Sequence, residues 1–562
     1  MEIKEAAAYI FLHRYAFYLL YYPILAALGL IVSIFAVIIV LTSIRISRSP
    51  KDIPWTGLKN KKIFPKLRAC LREIIAGREP FNEGYERFSK NDKLFVIPNL
   101  LWTTVILPPS QTAWVASQPE HVLSGNAVLD EAMGLDYLAH GPNADSVRDF
   151  TVIRRHLTRH SGKLAGEVLE EIELGLDEEL GAKVDASKKA DFVEVQAMDI
   201  LQAIAFRAAN RIFVGPSLSR SKSYRKRIQR WTTAYGLCTI VMRFIVASPL
   251  KQFFMRVVAI PTKAMQWLAT SEVRAMVKQR LSQTEAAQEQ KNDMMQWIIE
   301  TNAQKNDARE MAPQNIAGKM ILFNLFATGT TSAMSALVLQ DILHYEDAAN
   351  LMETLRQEAL EFLPRVPHDP VTALRSMTKM DSVIRESLRF NPLGAQSMLR
   401  KVVAEGGVQI KTSEGVVHLP QGTHVAVQAA ALHRDPEVFG PDAAEYRPLR
   451  HYQQQTAPQP EKLGIKLSSE APQHQQASQT LAIQISESFL SFGLGRHACP
   501  GRFFAINTMK LILGALLIKY EILPAEKGEE KKSLKIGEAI VPSEKWVVKL
   551  KRREEAKKEE RT

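Results

Sequence analysis

The chain has 562 residues, 46% of them hydrophobic and 23% charged, a globular composition with apolar side chains enough for a large core. Lys and Arg number 72 against 60 Asp and Glu, a net charge of +12, yet the basic residues are spread along the chain, which argues against a nucleic-acid binder. Three cysteines, Cys70, Cys238 and Cys499, are too few for a disulfide framework and suit a reducing compartment.

Residues 1–14 are a short leading segment. From Tyr15 to Ile44 the chain carries no charge and is rich in Leu, Ile, Val, Ala and Tyr, longer than the roughly 20 residues that cross a bilayer. This stretch, 15–44, reads as a transmembrane helix. Arg45, Arg48 and Lys51 come directly after it without a small-residue cleavage site, which disfavours a removed signal peptide and favours a cytosolic position for the chain beyond them. Residues 45–54 form a basic, proline-bearing hinge. No internal repeat and no convincing linker divides the remaining chain, so 55–550 reads as one large domain despite a length that suggests several.

Phe150 to Thr158 is aromatic and then basic, with Arg154 four residues after Phe150; spacing alone makes it a solvated helix face. Val241 to Leu268 is apolar enough for a core helix. Met320 to Met334 is an apolar helix with a small, polar centre, Ala327-Thr328-Gly329-Thr330-Thr331, which leaves room for something bulky against the backbone. Further on, Glu386 and Arg389 share a helix face at i, i+3 before Pro392 ends the helix. Taken alone, such a pair is an exposed contact worth under about 1 kcal/mol. Arg450 follows in Glu445 to His451. Glutamine-rich stretches, 453–460 and 473–479, read as a surface insertion.

The most informative segment is Phe492 to Gly501, where Cys499 lies on a glycine-rich loop directly before the helical pattern of Arg502 to Leu513. A helix N-terminus favours an anionic sulfur, the form in which cysteine binds a metal. The plain alternative is an ordinary loop thiol. The tail, 551–562, alternates in charge and reads as solvated.

Together these segments resemble the cytochrome P450 family. Its haem-binding loop is Phe-x-x-Gly-x-Arg-x-Cys-x-Gly: Phe492, Gly495, Cys499 and Gly501 match, and His497 stands at the usual arginine. Glu386 and Arg389 match the family's Glu-x-x-Arg helix, with Arg450 as the arginine of the downstream meander. The oxygen-binding helix aligns on Thr330 and Thr331, with Gly329 in place of the family's acid and Ala327 in place of its glycine. A weaker match sets Phe150 and Arg154 on the family's Trp-x-x-x-Arg.

The resemblance implies a mostly α fold with small β-sheets, the cytochrome P450 fold, preceded by the transmembrane helix. It implies haem b with Cys499 as axial thiolate and metal ligand, Arg154 and His497 on the propionates, and Glu386, Arg389 and Arg450 as a structural brace. Thr330 and Thr331 take the catalytic role of proton delivery, and Phe323, Ala327, Gly394, Ala395 and Val541 the substrate contacts. Val241 to Leu268 corresponds to the lid that touches the membrane. The nearest likeness is to fungal, membrane-bound, ent-kaurene-oxidase-like members of secondary metabolism. These are single-pass endoplasmic reticulum enzymes with a cytosolic domain, which oxidise lipophilic terpenoid or polyketide-type molecules with O2 and electrons from NADPH through NADPH-cytochrome P450 reductase. Expected partners are therefore reductase, substrate, O2 and membrane lipid, and no nucleic acid. Two alternatives stand: a reductase-independent isomerase or dehydratase of the same fold, suggested by Gly329, and a non-enzymatic membrane haem protein.

Overall fold

The computed structural model describes residues 49–553 apart from 59–62, 100–101, 139–149, 186–191, 245–250, 284–290, 306–307 and 457–480, with scattered positions between Leu25 and Ser47. The leading segment, much of the expected transmembrane helix, the second glutamine stretch and most of the charged tail therefore lie outside the described residues.

The chain is mostly helical with small sheets, as expected. The helices that frame the site are α1 (Gly125–Met133), α2 (Ala197–Phe213), α3 (Lys222–Phe244), α4 (Lys251–Ala269), α5 (Ser271–Leu281), α6 (Met294–Lys305), α7 (Pro313–Leu343), α8 (Ala348–Phe362), α9 (Thr378–Phe390) and α10 (Arg502–Lys519). Helices α7 and α10 are apolar nearly all round, the pattern of a helix enclosed by others rather than lying on a surface. Among the described residues, α7 alone is long and apolar enough to cross a membrane, and most of it is buried inside the protein. It is the central core helix, packed by α2, α9 and α10 in one extensive apolar cluster.

A five-stranded sheet packs beside this helical body. Its strands are β1 (Phe95–Ile97), β2 (Thr104–Leu107), β3 (Leu123–Ser124), β4 (Gln396–Val402) and β5 (His424–Gln428), in the order β1-β2-β5-β4-β3. Only β2 and β5 run parallel, with Thr104 opposite His424. The β4–β5 register shifts between Ser397 and Arg400, and Met398 takes the left-handed φ of 55° there. Such a bulge re-aims the side chains beyond it. Ile53 and Trp55 are buried in a second cluster on this sheet, so the end of the basic hinge is part of the folded body. A hairpin of β6 (Ser533–Ile536) and β7 (Ala539–Pro542) reaches back to the exit of α9, where the Ile540 N–H donates to the Leu393 carbonyl at 3.1 Å.

Candidate active site

The cysteine loop is pinned at both ends. Before it, the Leu490 N–H donates to His433 Nε2 at 2.9 Å, and the Ser491 hydroxyl donates to the Leu388 carbonyl at 2.8 Å. Inside it, Gly493 and Gly495 hold φ of 69° and 73°, and the Cys499 N–H closes back on the Phe492 carbonyl at 2.8 Å. Gly495 is needed for more than its dihedral. A Cβ there would lie 2.6 Å from the Ala116 carbonyl oxygen, so the close approach it permits is to the neighbouring short helix at Thr112–Ser117. After the loop, Arg502 opens α10 and donates from Nη1 to the Cys499 carbonyl at 3.0 Å and from Nε to the Ile483 carbonyl at 3.1 Å.

Cys499 therefore sits three residues ahead of an 18-residue helix, as the sequence predicts. Burial pushes its thiol up, while the N–H groups of Gly501 and Arg502 and the Arg502 charge pull the other way. Those donors all favour a thiolate, and an electrophilic partner for the sulfur would complete the balance.

Behind the loop lies a fully buried brace. Arg389 meets Glu386 with two parallel bonds of 2.8 Å, and neither side chain has any exposure. Arg450 adds a contact to Glu386 Oε1 at 3.2 Å, and the Arg447 N–H another at 2.9 Å. The remaining Arg389 donors are spent on the carbonyls of His433, Ala443 and Glu445. Burial alone would raise the Glu386 carboxyl, but Arg389, His451 and the Arg447 N–H together outweigh it and hold the group well below the usual carboxylate range. The pair that spacing alone makes an exposed contact is thus a desolvated, satisfied network.

On α7 the pattern is reversed. Residues 315–324 and 331–343 are buried, yet Leu325 to Thr328 are half-buried and Gly329 and Thr330 are exposed. A core helix that is closed at both ends and open in its middle faces a void. Leu325 and Ala327 border the same apolar cluster as Cys499 and Phe492. A Cβ on Gly329 would meet nothing within 4 Å. The Thr330 hydroxyl donates to the Phe326 carbonyl at 2.6 Å, which leaves its oxygen lone pairs free for a donor in the opening. Thr331, by contrast, is buried.

A third feature is a cationic corner. His497 Nδ1 and Arg400 Nη1 converge within 3.2 and 3.5 Å of where a Cβ on Gly125 would stand. Burial lowers the His497 pKa, and the Arg400 charge lowers it further, with Arg154 and Arg496 also acting on it. Glu120 pulls the other way, its carboxylate 2.9 Å from His497 Nε2. Arg400 is itself desolvated, and among the described residues its Nη1 donates only to its own neighbour, the Leu399 carbonyl, at 2.8 Å. Arg154 rises from a π-helical turn, Ile153–Leu157, and reaches the Arg496 carbonyl at 3.4 Å. The sulfur donor, the open turn of α7 and this excess of cations together fit a flat, iron-bearing group with carboxylate side arms, so the residues present suit haem.

The other expected residues divide. Ala327 borders the opening and Val541 is half-buried on β7, but Phe323 is 1% exposed and Ala395 fully enclosed. Phe323 packs against Phe150 with ring centroids 5.9 Å apart, and Ala395 lies in a closed cluster with Phe81, Phe95 and Ile106. Those two present no free surface to a substrate, because the core has already used it. Gly394 abuts the Glu538 carboxylate, which accepts from the Gln396 backbone and side chain at 2.8 and 2.7 Å. Sequence reasoning missed Arg400, Glu120 and His433: single polar residues in unremarkable contexts, brought together only by the bulge in β4 and by the packing of α1 and α9.

Comparison with known proteins agrees with this geometry. The family model for Cytochrome P450 matches residues 127–550. The chain is 28% identical to Cytochrome P450 monooxygenase lnaC of Aspergillus flavus, across 93% of this chain and 97% of that protein. It is equally similar, at 28%, to Cytochrome P450 monooxygenase polB of Polytolypa hystricis, across 90% and 94%. Cytochrome P450 monooxygenase htyF of Aspergillus rugulosus is also 28% identical, across 84% and 68%. With three quarters of its length under the family model and a cysteine loop, brace and open helix built as described, this chain belongs to the cytochrome P450 family, as a monooxygenase whose cofactor is haem b.

Proposed function

We propose that the protein is a membrane-anchored haem monooxygenase that oxidises an unactivated C–H bond of a lipophilic small molecule, terpenoid or polyketide in type, in fungal secondary metabolism. The observation that carries this reading is the open turn at Leu325 to Thr330 on an otherwise closed core helix, bordering the same apolar cluster as Cys499. When bound through the Cys499 thiolate, haem supplies O2 activation, which thiolate donation favours. The chain's own residues do the rest. Arg154, Arg400 and His497 hold carboxylates at the cationic corner. Thr330, its proton turned toward the Phe326 carbonyl, offers an acceptor that orients a water or an O–H in the opening. Leu325 and Ala327 give an apolar wall that excludes bulk water and receives a hydrocarbon substrate.

Electrons come from NADPH through the partner reductase, and the exposed Arg496 next to the loop suits an acidic docking face. The described residues between Leu25 and Ser47 are helical, with Val32 and Val40 exposed, which supports a single-pass anchor in the endoplasmic reticulum with the domain cytosolic. Co-expression with reductase and candidate terpenoid or polyketide precursors should give an oxygenated product, and Cys499→Ser should remove both the product and the red-shifted Soret band of the reduced CO complex. An unchanged spectrum would end the thiolate assignment. Gly329, with no acid at the family's position, favours a second reading, a rearrangement without O2. Turnover that persists in the absence of reductase would establish it.

A further inference from the structure

Between residues 221 and 270 the chain has nine Lys or Arg and no Asp or Glu. The helices of this stretch, α3 and α4, also carry an exposed apolar stripe: Phe253 is 62% exposed, Ile260 62%, Trp267 57% and Leu268 56%. Apolar surface of this extent, edged by cations and free of acids, has the character of an interfacial helix on anionic lipid rather than of a solvated face. At the C-terminal end of the stripe, a cavity of about 600 Å³ lies between α4, α5 and the start of α7, lined by Gln266, Trp267, Thr270, Arg274, Lys278 and Asn315 among others.

Two cations in that cavity are unspent. The Arg274 guanidinium lies 4.7 Å over the Trp267 ring and donates through Nη1 to the Trp267 carbonyl and the Thr270 hydroxyl, both at 2.6 Å, which leaves its other N–H groups to donate elsewhere. Burial is the one influence on its pKa, which it lowers; no neighbouring carboxylate acts on it. Lys278 follows one turn later on the same face of α5. Among the described residues neither forms an ion pair, and the nearby acids are taken: Glu272 by Arg227, and Asp293 by Arg280 at 2.5 Å. The uncapped N-terminus of α7 adds the positive end of a 31-residue helix to the same wall.

We infer that this cavity binds the phosphate of an anionic membrane lipid, with Arg274 and Lys278 as its cations and Trp267 and Leu268 set in the acyl region beside it. The inference rests on the membrane-bound reading above and deepens it, because it fixes which end of α4 lies at the headgroup level. An indole stacked under a guanidinium next to an apolar stripe is the arrangement that places aromatic and cationic side chains at a lipid–water boundary. Each cation near an anionic surface is worth roughly a fivefold preference, so the pair is worth about 30-fold.

The test is hydrogen exchange on the full-length holoenzyme in nanodiscs of phosphatidylcholine alone or with phosphatidylserine. Exchange across 263–278 should slow by roughly an order of magnitude when phosphatidylserine is present, and R274Q/K278Q should erase that difference while haem content and the reduced CO spectrum stay normal. R274K should retain it, and K278Q alone, on an exposed side chain, should weaken it, which keeps the test decisive if the double variant loses its haem. Equal protection in the two lipids would overturn the phosphate site and leave the membrane face standing. Absence of protection of α4 in either lipid would overturn the membrane face as well. Inorganic phosphate that reproduces the effect in phosphatidylcholine alone would show a soluble anion rather than a lipid to be the ligand. Protection that grows with protein concentration in detergent would assign the stripe to a second copy of the chain.

Discussion

The brace around Glu386 and the open turn around Gly329 follow opposite rules. In the brace, charges are taken fully out of water and their donors are directed at a carboxylate or a carbonyl. At the open turn, a buried helix gives up its packing for six residues, and the Thr330 hydroxyl is tied to its own helix's backbone instead of to a neighbouring element. The first region is over-determined and the second under-filled. Stability should therefore be concentrated in the brace and chemistry at the turn, and substitutions in the two places should read out in different experiments.

The largest effect expected is at the brace. Glu386→Ala leaves Arg389 buried without its carboxylate and takes one of two carboxylates from Arg450, which keeps Asp442, and removing one partner of a buried pair costs about 3–5 kcal/mol. Against a typical total of roughly 5–15 kcal/mol, that shifts the urea midpoint far enough to be unmistakable. A loss under about 1 kcal/mol would put the pair in the class of exposed contacts and dissolve the contrast. The acid side follows from the direction of the Glu386 shift. Its folded pKa lies below the unfolded value near 4.3, so its contribution is complete above that pH and drains away as pH falls below it.

At the open turn the expected loss is catalytic and leaves stability alone. Thr330→Ala removes the acceptor that orients a proton donor, and positioned proton transfer is typically worth about 10²- to 10⁴-fold. Product per NADPH should fall and peroxide release rise, with the unfolding free energy in urea within about 0.5 kcal/mol of the parent because the side chain is exposed. Unchanged coupling would mean that the register of the oxygen helix, or the monooxygenase chemistry, is misassigned.

A smaller effect links the brace to the cysteine loop. His433 is fully buried, accepts the Leu490 N–H at Nε2, and stacks on Phe489 with centroids 5.3 Å apart. Burial, joined by the Arg389 charge, lowers its pKa to about 3. The unfolded chain takes up a proton near pH 6.5 that the folded chain refuses, so this group's contribution is whole above 6.5 and falls by about 1.4 kcal/mol per pH unit below it, down to about 3. His433→Asn should flatten the slope of stability against pH between 6 and 4.5. An unchanged slope would show that the histidine charges in place.

Much of this was legible in the residues. The order of the motifs, the helical reading of Met320 to Met334 and the position of Cys499 ahead of a helix all survive, because each rests on local spacing that the fold does not alter. Hidden from the sequence was whatever depends on side-chain direction across elements. Phe323 and Ala395 look available in sequence, but the first is claimed by Phe150 and the second by the sheet cluster of Phe81 and Phe95. Arg400 looks like one basic residue among 72, and only the bulge at Met398 turns it toward His497. Gly495 reads as one glycine of the cysteine loop, and only the fold shows that Ala116 is what demands it.

Gly329 is where the smallest structural disturbance gives the sharpest test. The family's acid is absent there, and a glycine within a helix is worth about 1 kcal/mol less than alanine, so its retention in a core helix asks for a reason. If the groove were shaped around the missing side chain, Gly329→Asp would collide with a neighbour. No heavy atom lies within 4 Å of the new Cβ, so the protein itself does not forbid the substitution. The exchange is close to neutral in helix propensity as well, so stability should move by under about 0.5 kcal/mol. The carboxylate would then stand one residue before Thr330, in the same opening, and supply protons that Thr330 alone can only orient. Peroxide release per NADPH should fall and product rise. Loss of haem from Gly329→Asp, with the bare fold still intact, would mean that the glycine is kept to make room for the cofactor or substrate, and that the proton route was never built to include an acid.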